Sequence, residues 1–272
     1  MQLFDTHAHL DDRSLQEILG PLVLRASEVG VVQIIAVGTT ADSSEQSIRL
    51  AESYDSVRAA VGIQPNCCHE VKEGDWDRVV AQAEHPQVVA IGETGLDRYW
   101  DDVPFPLQQE YFQRHLCLSQ ETSLPFIVHM RDCETDVLEM LREVRRSGVL
   151  SGVMHSFTGS LETAEECVEL GMYISFAGMV TFKKSDELRV VAAAVPAERL
   201  LIETDSPYLS PHPVRGQRPN EPALIIHTAQ CLAEARGITV EQLASDTTAN
   251  AQRLFQWKRG GVTQRDCLND TD

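Results

Sequence analysis

Residues 125–157 read PFIVHMRDCETDVLEMLREVRRSGVLSGVMHSF. The run Pro125–His129 is short and apolar, and Cys133–Ser147 follows it with apolar residues at helical spacing. Gly148 stands where a helix C-cap belongs, and a second apolar run, Gly152–His155, comes next. Neither run alternates apolar with polar residues, as expected for parallel strands covered on both faces. Strand, crossover helix and strand in this order make one repeat of a parallel sheet.

The same unit recurs in both directions. Further candidate strands are Leu3–Asp5, Val31–Val37, Val57–Gly62, Val88–Gly92, Tyr173–Phe176 and Leu200–Glu203. Ser14–Val29, with Ser14 as a cap, Leu107–Gln120 and Leu161–Leu170, ended by Gly171, read as helices between them. Ala223–Arg236 and Val240–Trp257 read as two more after the last strand. Eight strand–helix units without a break in composition predict an α/β chain folded as one (β/α)8 TIM barrel over residues 1–258. The length of 272 residues fits, since such barrels need about 250. An open doubly wound sheet satisfies the same alternation and is the alternative. After Trp257 the chain reads KRGGVTQRDCLNDTD without an apolar stripe, and residues 259–272 are expected to form a loose terminus.

Hydrophobic residues make up 43% of the chain and charged ones 24%, a globular balance with enough apolar mass for a barrel-sized core. The formal net charge of −18 is unusual. It repels polyanions on average and argues against sequence-independent duplex binding along a broad basic face. A local positive focus at bound divalent cations stays open, because the formal count omits them. The opening MQLFDTHAHLDD lacks a basic segment followed by an apolar stretch, and no run reaches the ~18 apolar residues of a membrane span. A cytoplasmic protein without membrane contact is expected. The seven cysteines are odd in number and scattered, as thiols in a reducing compartment are. Cys67 and Cys68 adjoin, but no second cysteine pair completes a soft metal site.

Active sites of such barrels lie at the C-terminal ends of the strands. Strand one runs out in Asp5-Thr6-His7-Ala8-His9, and an H-x-H step in extended chain points both imidazoles to one side. Strand four ends in Gly92-Glu93-Thr94-Gly95-Leu96-Asp97, strand five in His129-Met130-Arg131-Asp132, strand six in His155-Ser156-Phe157 and strand eight in Glu203-Thr204-Asp205-Ser206-Pro207. Four of the nine histidines thus fall on one rim with acids among them. The other five, His69, His85, His115, His212 and His227, read as ordinary loop or core histidines. That ordinary reading would have to hold separately at every rim position, and it would bury polar groups short of partners.

Imidazole and carboxylate without thiolate suit Zn, Mn, Fe, Co or Ni and disfavour a calcium cage. Six ligands, His7, His9, Glu93, His129, His155 and Asp205, are too many for one catalytic ion that keeps an open position. Two divalent metal ions (Zn, Mn, Mg, Ni or Co) bridged by a carboxylate at roughly 3.5–4 Å fit better, and they imply hydrolysis.

Taken in order, DTHAHLD (5–11), IGETGLD (91–97), FIVHMRD (126–132), MHSFTGS (154–160), FAGMVTFKKSDELR (176–189) and IETDSPYLSPHPVRGQRPNEP (202–222) resemble the TatD family of metal-dependent deoxyribonucleases, within the amidohydrolase-type barrels. H-x-H alone opens many such barrels, whereas these motifs at these spacings are specific. The resemblance implies one ion bound by His7, His9 and Asp205, a second by His129 and His155, and Glu93 bridging them. It implies phosphodiester hydrolysis, with exonuclease action on DNA ends. Asp205 and Glu93 would be catalytic, Asp205 as ligand and as the group that orients or deprotonates the attacking water. One departure stands out. The family commonly carries G-x-H-P after strand three, and this chain has Gly62-Ile63-Gln64-Pro65, with His69 nearby as a substitute. Gln64 hydrogen-bonds but cannot carry positive charge.

Basic residues near the rim are few: Arg131, Lys183, Lys184, Arg215 and Arg218. Arg215 follows strand eight, where barrels often hold phosphate, and a guanidinium suits bidentate phosphate contact. Arg131, Arg215, Gln64 and His69 are therefore the candidate substrate contacts, and the expected partner is a nucleic-acid end held at a few phosphates. No obligate protein partner is expected. A carboxylester, lactone, amide or aminoacyl-tRNA ester is the alternative substrate for the same centre. A non-enzymatic interaction protein would have lost ligands, and the set here is intact.

Overall fold

A computed structural model of the chain describes residues 1–256. The expected loose terminus over 259–272 and the expected helix end at Trp257 lie outside the described residues. The strands are β1 Leu3–Ala8, β2 Val31–Val37, β3 Val57–Val61, β4 Val88–Asp97, β5 Phe126–Arg131, β6 Gly152–Met154, β7 Tyr173–Phe176 and β8 Leu200–Ile202. They pair in parallel and in chain order, each with the next. The β8–β1 seam is closed largely by side chains. The Thr204 N–H and hydroxyl both donate to the Asp5 carboxylate (2.9 and 2.6 Å), and the Thr6 hydroxyl donates to Ile202 O (3.0 Å). Above them, Asp205 N–H donates to His7 O and His9 N–H to Ser206 O (2.9 and 2.7 Å). The outcome is the (β/α)8 barrel.

One buried cluster takes a residue from every strand: Phe4, Ile35, Ala60, Ala90, Ile127, Val153, Tyr173 and Leu201. A cluster fed by all eight strands is the barrel interior. Ala251, Leu254 and Phe255 join it at the end of helix Val240–Leu254, with the Phe255 ring 6.0 Å from that of Phe4. The larger cluster lies between strands and helices. The chemistry is thus confined to the opposite rim.

The helices are α1 Arg13–Gln16, α2 Leu19–Glu28, α3 Ala41–Ser53, α4 Asp75–Gln82, α5 Phe105–Thr122, α6 Glu134–Ser147, α7 Leu161–Leu170, α8 Asp186–Ala194, α9 Ile225–Arg236 and α10 Val240–Leu254. The single helix expected over Ser14–Val29 is two. Pro21 explains the break, because its ring would clash with the Glu17 carbonyl of a continuous helix; restarting at Leu19 puts it in a first turn. The cap is Asp12 rather than Ser14: its carboxylate accepts the Ser14 N–H and hydroxyl (2.8 and 2.6 Å). The pattern also did not reveal α3, α4 and α8. In α3 the buried face includes Ser43, Ser44 and Ser47, so serines interrupt the apolar period that would have marked it.

Candidate metal centre

Strand β4 extends five residues past its expected end at Gly92, and its register slips against β5 between Ile91 and Thr94. It lies so near β5 that a Cβ on Gly95 would stand 2.0 Å from His129 O, and one on Gly92 2.7 Å from Ile127 O. Both glycines have φ of +132°, which side chains rarely adopt. These constraints make glycines of both residues flanking Glu93-Thr94, and they carry Glu93 onto the rim beside His129.

The four imidazoles and two carboxylates expected to ligate converge there, all nearly buried. Glu93 stands between two histidine pairs. Its Oε2 lies 3.5 Å from Nε2 of both His7 and His9, and its Oε1 lies 3.0 Å from His129 Nδ1 and His155 Nε2. His7 Nε2 and His9 Nε2 are 3.2 Å apart, and His129 Nδ1 and His155 Nε2 3.4 Å apart. Asp205 Oδ1 closes the first pair at 3.5 Å from His9 and 3.9 Å from His7. Asp205 holds a φ of +55°, a strained backbone stabilised by its N–H on His7 O and by Asn220, whose Nδ2 donates to the carbonyls of Thr204 and Tyr208.

The outward ring nitrogens decide which atoms face inward. His129 Nε2 lies 2.9 Å from Asp97 Oδ2, His155 Nδ1 3.4 Å from Glu203 Oε1 and His9 Nδ1 3.2 Å from Val37 O. Asp97 and Val37 accept hydrogen bonds from the outer nitrogens of His129 and His9, while the charge of the Glu203 carboxylate favours the proton on His155 Nδ1, so the inner nitrogen of each neutral ring presents a lone pair. Burial alone would raise the Glu93 carboxyl, but His155, His129 and His7 hold it well below the usual range. Burial would lower His9, but Asp205 and Glu93 raise it to about 9. The carboxylates therefore favour positive charge where the lone pairs converge. Imidazole and carboxylate donors aimed at common points, with tautomers set from outside, fit divalent cations of the Zn, Mn or Co kind. His7, Glu93 and His155, and His7, His9 and Asp205, are each close enough for one ion.

The centre opens into a cleft of about 780 Å³. Arg131 and Gln64 line it. The Gln64 Oε1 accepts the Asn66 N–H (2.8 Å), and the Asn66 amide donates to Asp97 (3.0 Å), so Gln64 reaches the His129 partner through one residue. His69 and Arg215 are not brought to the cleft. His69 sits half-exposed beside Glu70, and the Arg215 guanidinium lies 3.9 Å above the Phe182 ring. Cys67 lines the cleft, but burial pushes its thiol up to about 11, which keeps it protonated at neutral pH. His115 is the core histidine expected: Nδ1 donates to Tyr111 O, Nε2 accepts the Ile63 N–H, and burial lowers it to about 4.

Asp97, Glu203 and Asn220 were not singled out by the sequence. For the two acids a signal was present, since an acid close behind a ligand at a strand end is a ready partner for an imidazole. Asn220 carried none, because its two acceptors are chosen by the fold of the loop.

The family model described as TatD related DNase matches residues 4–256. The uncharacterized metal-dependent hydrolase YabD of Bacillus subtilis is 42% identical over 254 residues, covering 93% of this chain and 99% of that protein. The 3'-5' ssDNA/RNA exonuclease TatD of Citrobacter rodentium is 36% identical, with 93% and 97% covered. The crystal structure of YJJV, a TatD homolog from Escherichia coli K12, superposes with a TM-score of 0.88 at 30% identity, covering 94% of this chain and 98% of that one. With a barrel of this topology, a rim of convergent imidazoles and carboxylates, and matches along nearly its whole length, the chain belongs to the TatD family of metal-dependent hydrolases.

Proposed function

We propose that this hydrolase cleaves phosphodiester bonds at single-stranded nucleic-acid ends, using two divalent ions. The observation that carries the reading is Glu93, whose two oxygens each face a different histidine pair. His7, His9 and Asp205 would hold one ion, His129 and His155 the other, and Glu93 would bridge. Such ions, when bound, polarise a phosphoryl oxygen and make a water acidic enough to attack at neutral pH.

The chain's own residues do the rest. Asp205 borders the cleft, and although burial would raise its carboxyl, His9 and His7 keep it below the usual range. It is ionised at neutral pH and serves to orient the attacking water and accept its proton. Asp97 keeps His129 in the tautomer that presents a lone pair by accepting a hydrogen bond from its Nε2, and the Glu203 carboxylate, 3.4 Å from His155 Nδ1, favours the same tautomer of His155 by its charge. Arg131, the cleft's lone arginine or lysine among the described residues, would neutralise a phosphate of the substrate. The family description and the exonuclease name of the Citrobacter relative favour nucleic acid over carboxylester or amide substrates. The six described cysteines are free thiols, consistent with a cytoplasmic setting, and no helix among the described residues is long and apolar enough to cross a membrane.

The test is chelator-treated protein reloaded separately with Zn, Mn, Mg, Ni or Co, then given a labelled single-stranded oligonucleotide and an uncharged carboxylester. Release of mononucleotides is expected. Turnover of the ester with no phosphodiester cleavage under any metal would refute the proposal.

A further inference from the structure

Nine large apolar side chains are exposed among the described residues, three of them aromatic: Trp100 and Tyr208 at this cleft, and Tyr99 packed against Trp100. Trp100 and Tyr208 line it, each about half exposed (49% and 50%). Tyr99 packs at right angles to Trp100, with ring centroids 4.9 Å apart. The Arg131 guanidinium lies 3.7 Å from the Tyr99 centroid and 5.9 Å from that of Trp100. One face of Tyr99 is thereby taken by a cation, and the Trp100 ring is left to meet a ligand. We propose that Trp100, braced by Tyr99 and with Tyr208 lining the same cleft from the loop after β8, is a stacking platform for the unpaired nucleobase beside the scissile phosphate. The proposal rests on the phosphodiester reading and adds the part of the substrate that the metal centre does not touch.

Three observations support it. First, the platform is built into the centre's own framework. The N–H groups of Tyr99 and Trp100 both donate to Asp97 Oδ1 (2.8 and 3.0 Å), while Oδ2 of the same carboxylate holds His129. One carboxylate thus anchors both the backbone that carries the aromatic pair and the His129 ring. Second, a protein of net charge −18 with one arginine in its cleft gains little from phosphates beyond the first few. Stacking needs no charge and accepts any base, because every base has a π-face. Third, a paired base inside a duplex has both faces covered by its neighbours, so a platform of this kind selects unpaired ends.

The experiment compares two single-stranded oligonucleotides that differ only at the cleaved end, one bearing a base there and the other an abasic tetrahydrofuran residue. With metal-loaded wild-type protein, KM is expected to be about tenfold higher for the abasic end, the strength of ordinary base–aromatic stacking. Trp100→Ala should erase that difference, and Trp100→Phe should keep most of it. A phosphorothioate trinucleotide should quench tryptophan emission in the wild type and not in Trp100→Phe, although that variant still binds. Equal KM for the two ends in wild-type protein that cleaves both would overturn the platform and leave phosphodiester hydrolysis standing. Failure to cleave either end would overturn the underlying reading and the platform with it. The wild-type comparison needs no variant, so a misfolded Trp100→Ala would not blunt it.

Discussion

Replacing Asp97 with asparagine removes one charge and changes few contacts, yet it should disable half of the metal centre. Asp97 is buried and accepts four hydrogen bonds: the Tyr99 and Trp100 N–H groups at Oδ1, and the Asn66 amide and His129 Nε2 at Oδ2. In the variant the amide oxygen must stay under the two backbone N–H groups, since an amide nitrogen there would meet donors with donors. The new NH2 then faces Asn66 and His129. Asn66 adapts by flipping, because its Oδ1 has no partner in the native structure. His129 adapts only by accepting at Nε2, which moves its proton to Nδ1, the atom 3.0 Å from Glu93 Oε1. The lone pair that would ligate is lost. Removing a partner of this kind typically costs about 10–100-fold in metal affinity, or about 1.4–2.7 kcal/mol. The upper end is expected here, because the tautomer itself is inverted. Competition titration against a chelator should show one tight and one weakened site, with an unchanged far-ultraviolet circular dichroism spectrum. Wild-type affinity at both sites in Asp97→Asn would refute the tautomer argument.

Asp205→Asn should fold normally but lower kcat by about a thousandfold or more, since the amide neither neutralises the ion nor accepts a proton; wild-type turnover at confirmed metal content would remove Asp205 from the reaction. Gly95→Ala should destabilise the chelator-treated protein by about 2 kcal/mol or more, from the positive φ and the clash with His129 O, and thermal melts would show it. In chelator-treated protein His9 is raised to about 9, so its stabilising contribution is complete below the unfolded value near 6.5 and fades as pH rises through about 9. Metal affinity should climb over that same window, because cation and proton compete for Nε2; a Tm that rises from pH 7 to 9 without metal would contradict the sign. Lengthening the oligonucleotide beyond a few residues should change kcat/KM little, with a shallow salt dependence. A slope implying six or more phosphate contacts (each worth about 0.7 on single strands) would reveal a binding groove this reading lacks.

Local patterning made the barrel legible. Short apolar runs between helical stretches are read residue by residue, and a parallel sheet follows from their alternation. The rim was legible for a related reason: strand ends are visible in sequence, and a strand's end fixes which side of the barrel the next residues occupy. That is how His7, Glu93, His129, His155 and Asp205 could be gathered before any distance was known. A helix whose buried face is half serine, as in α3, escaped because its signal is not apolar periodicity, and the break that Pro21 puts into the helix expected over Ser14–Val29 was missed because the periodicity runs across it. Direction of side chains was the larger gap. Arg215 follows the last strand as expected, but its guanidinium lies on Phe182, and His69 turns to Glu70. Nothing in spacing tells whether a loop cation points in or out. Only the folded barrel, by pressing β4 against β5 and bringing the ends of β6 and β8 together across β7, could decide that Asp97 holds His129 from 32 positions away and Glu203 reaches His155. Ligand types at strand ends are a one-dimensional property; the hydrogen bonds that aim them depend on which strands become neighbours and how closely their backbones meet.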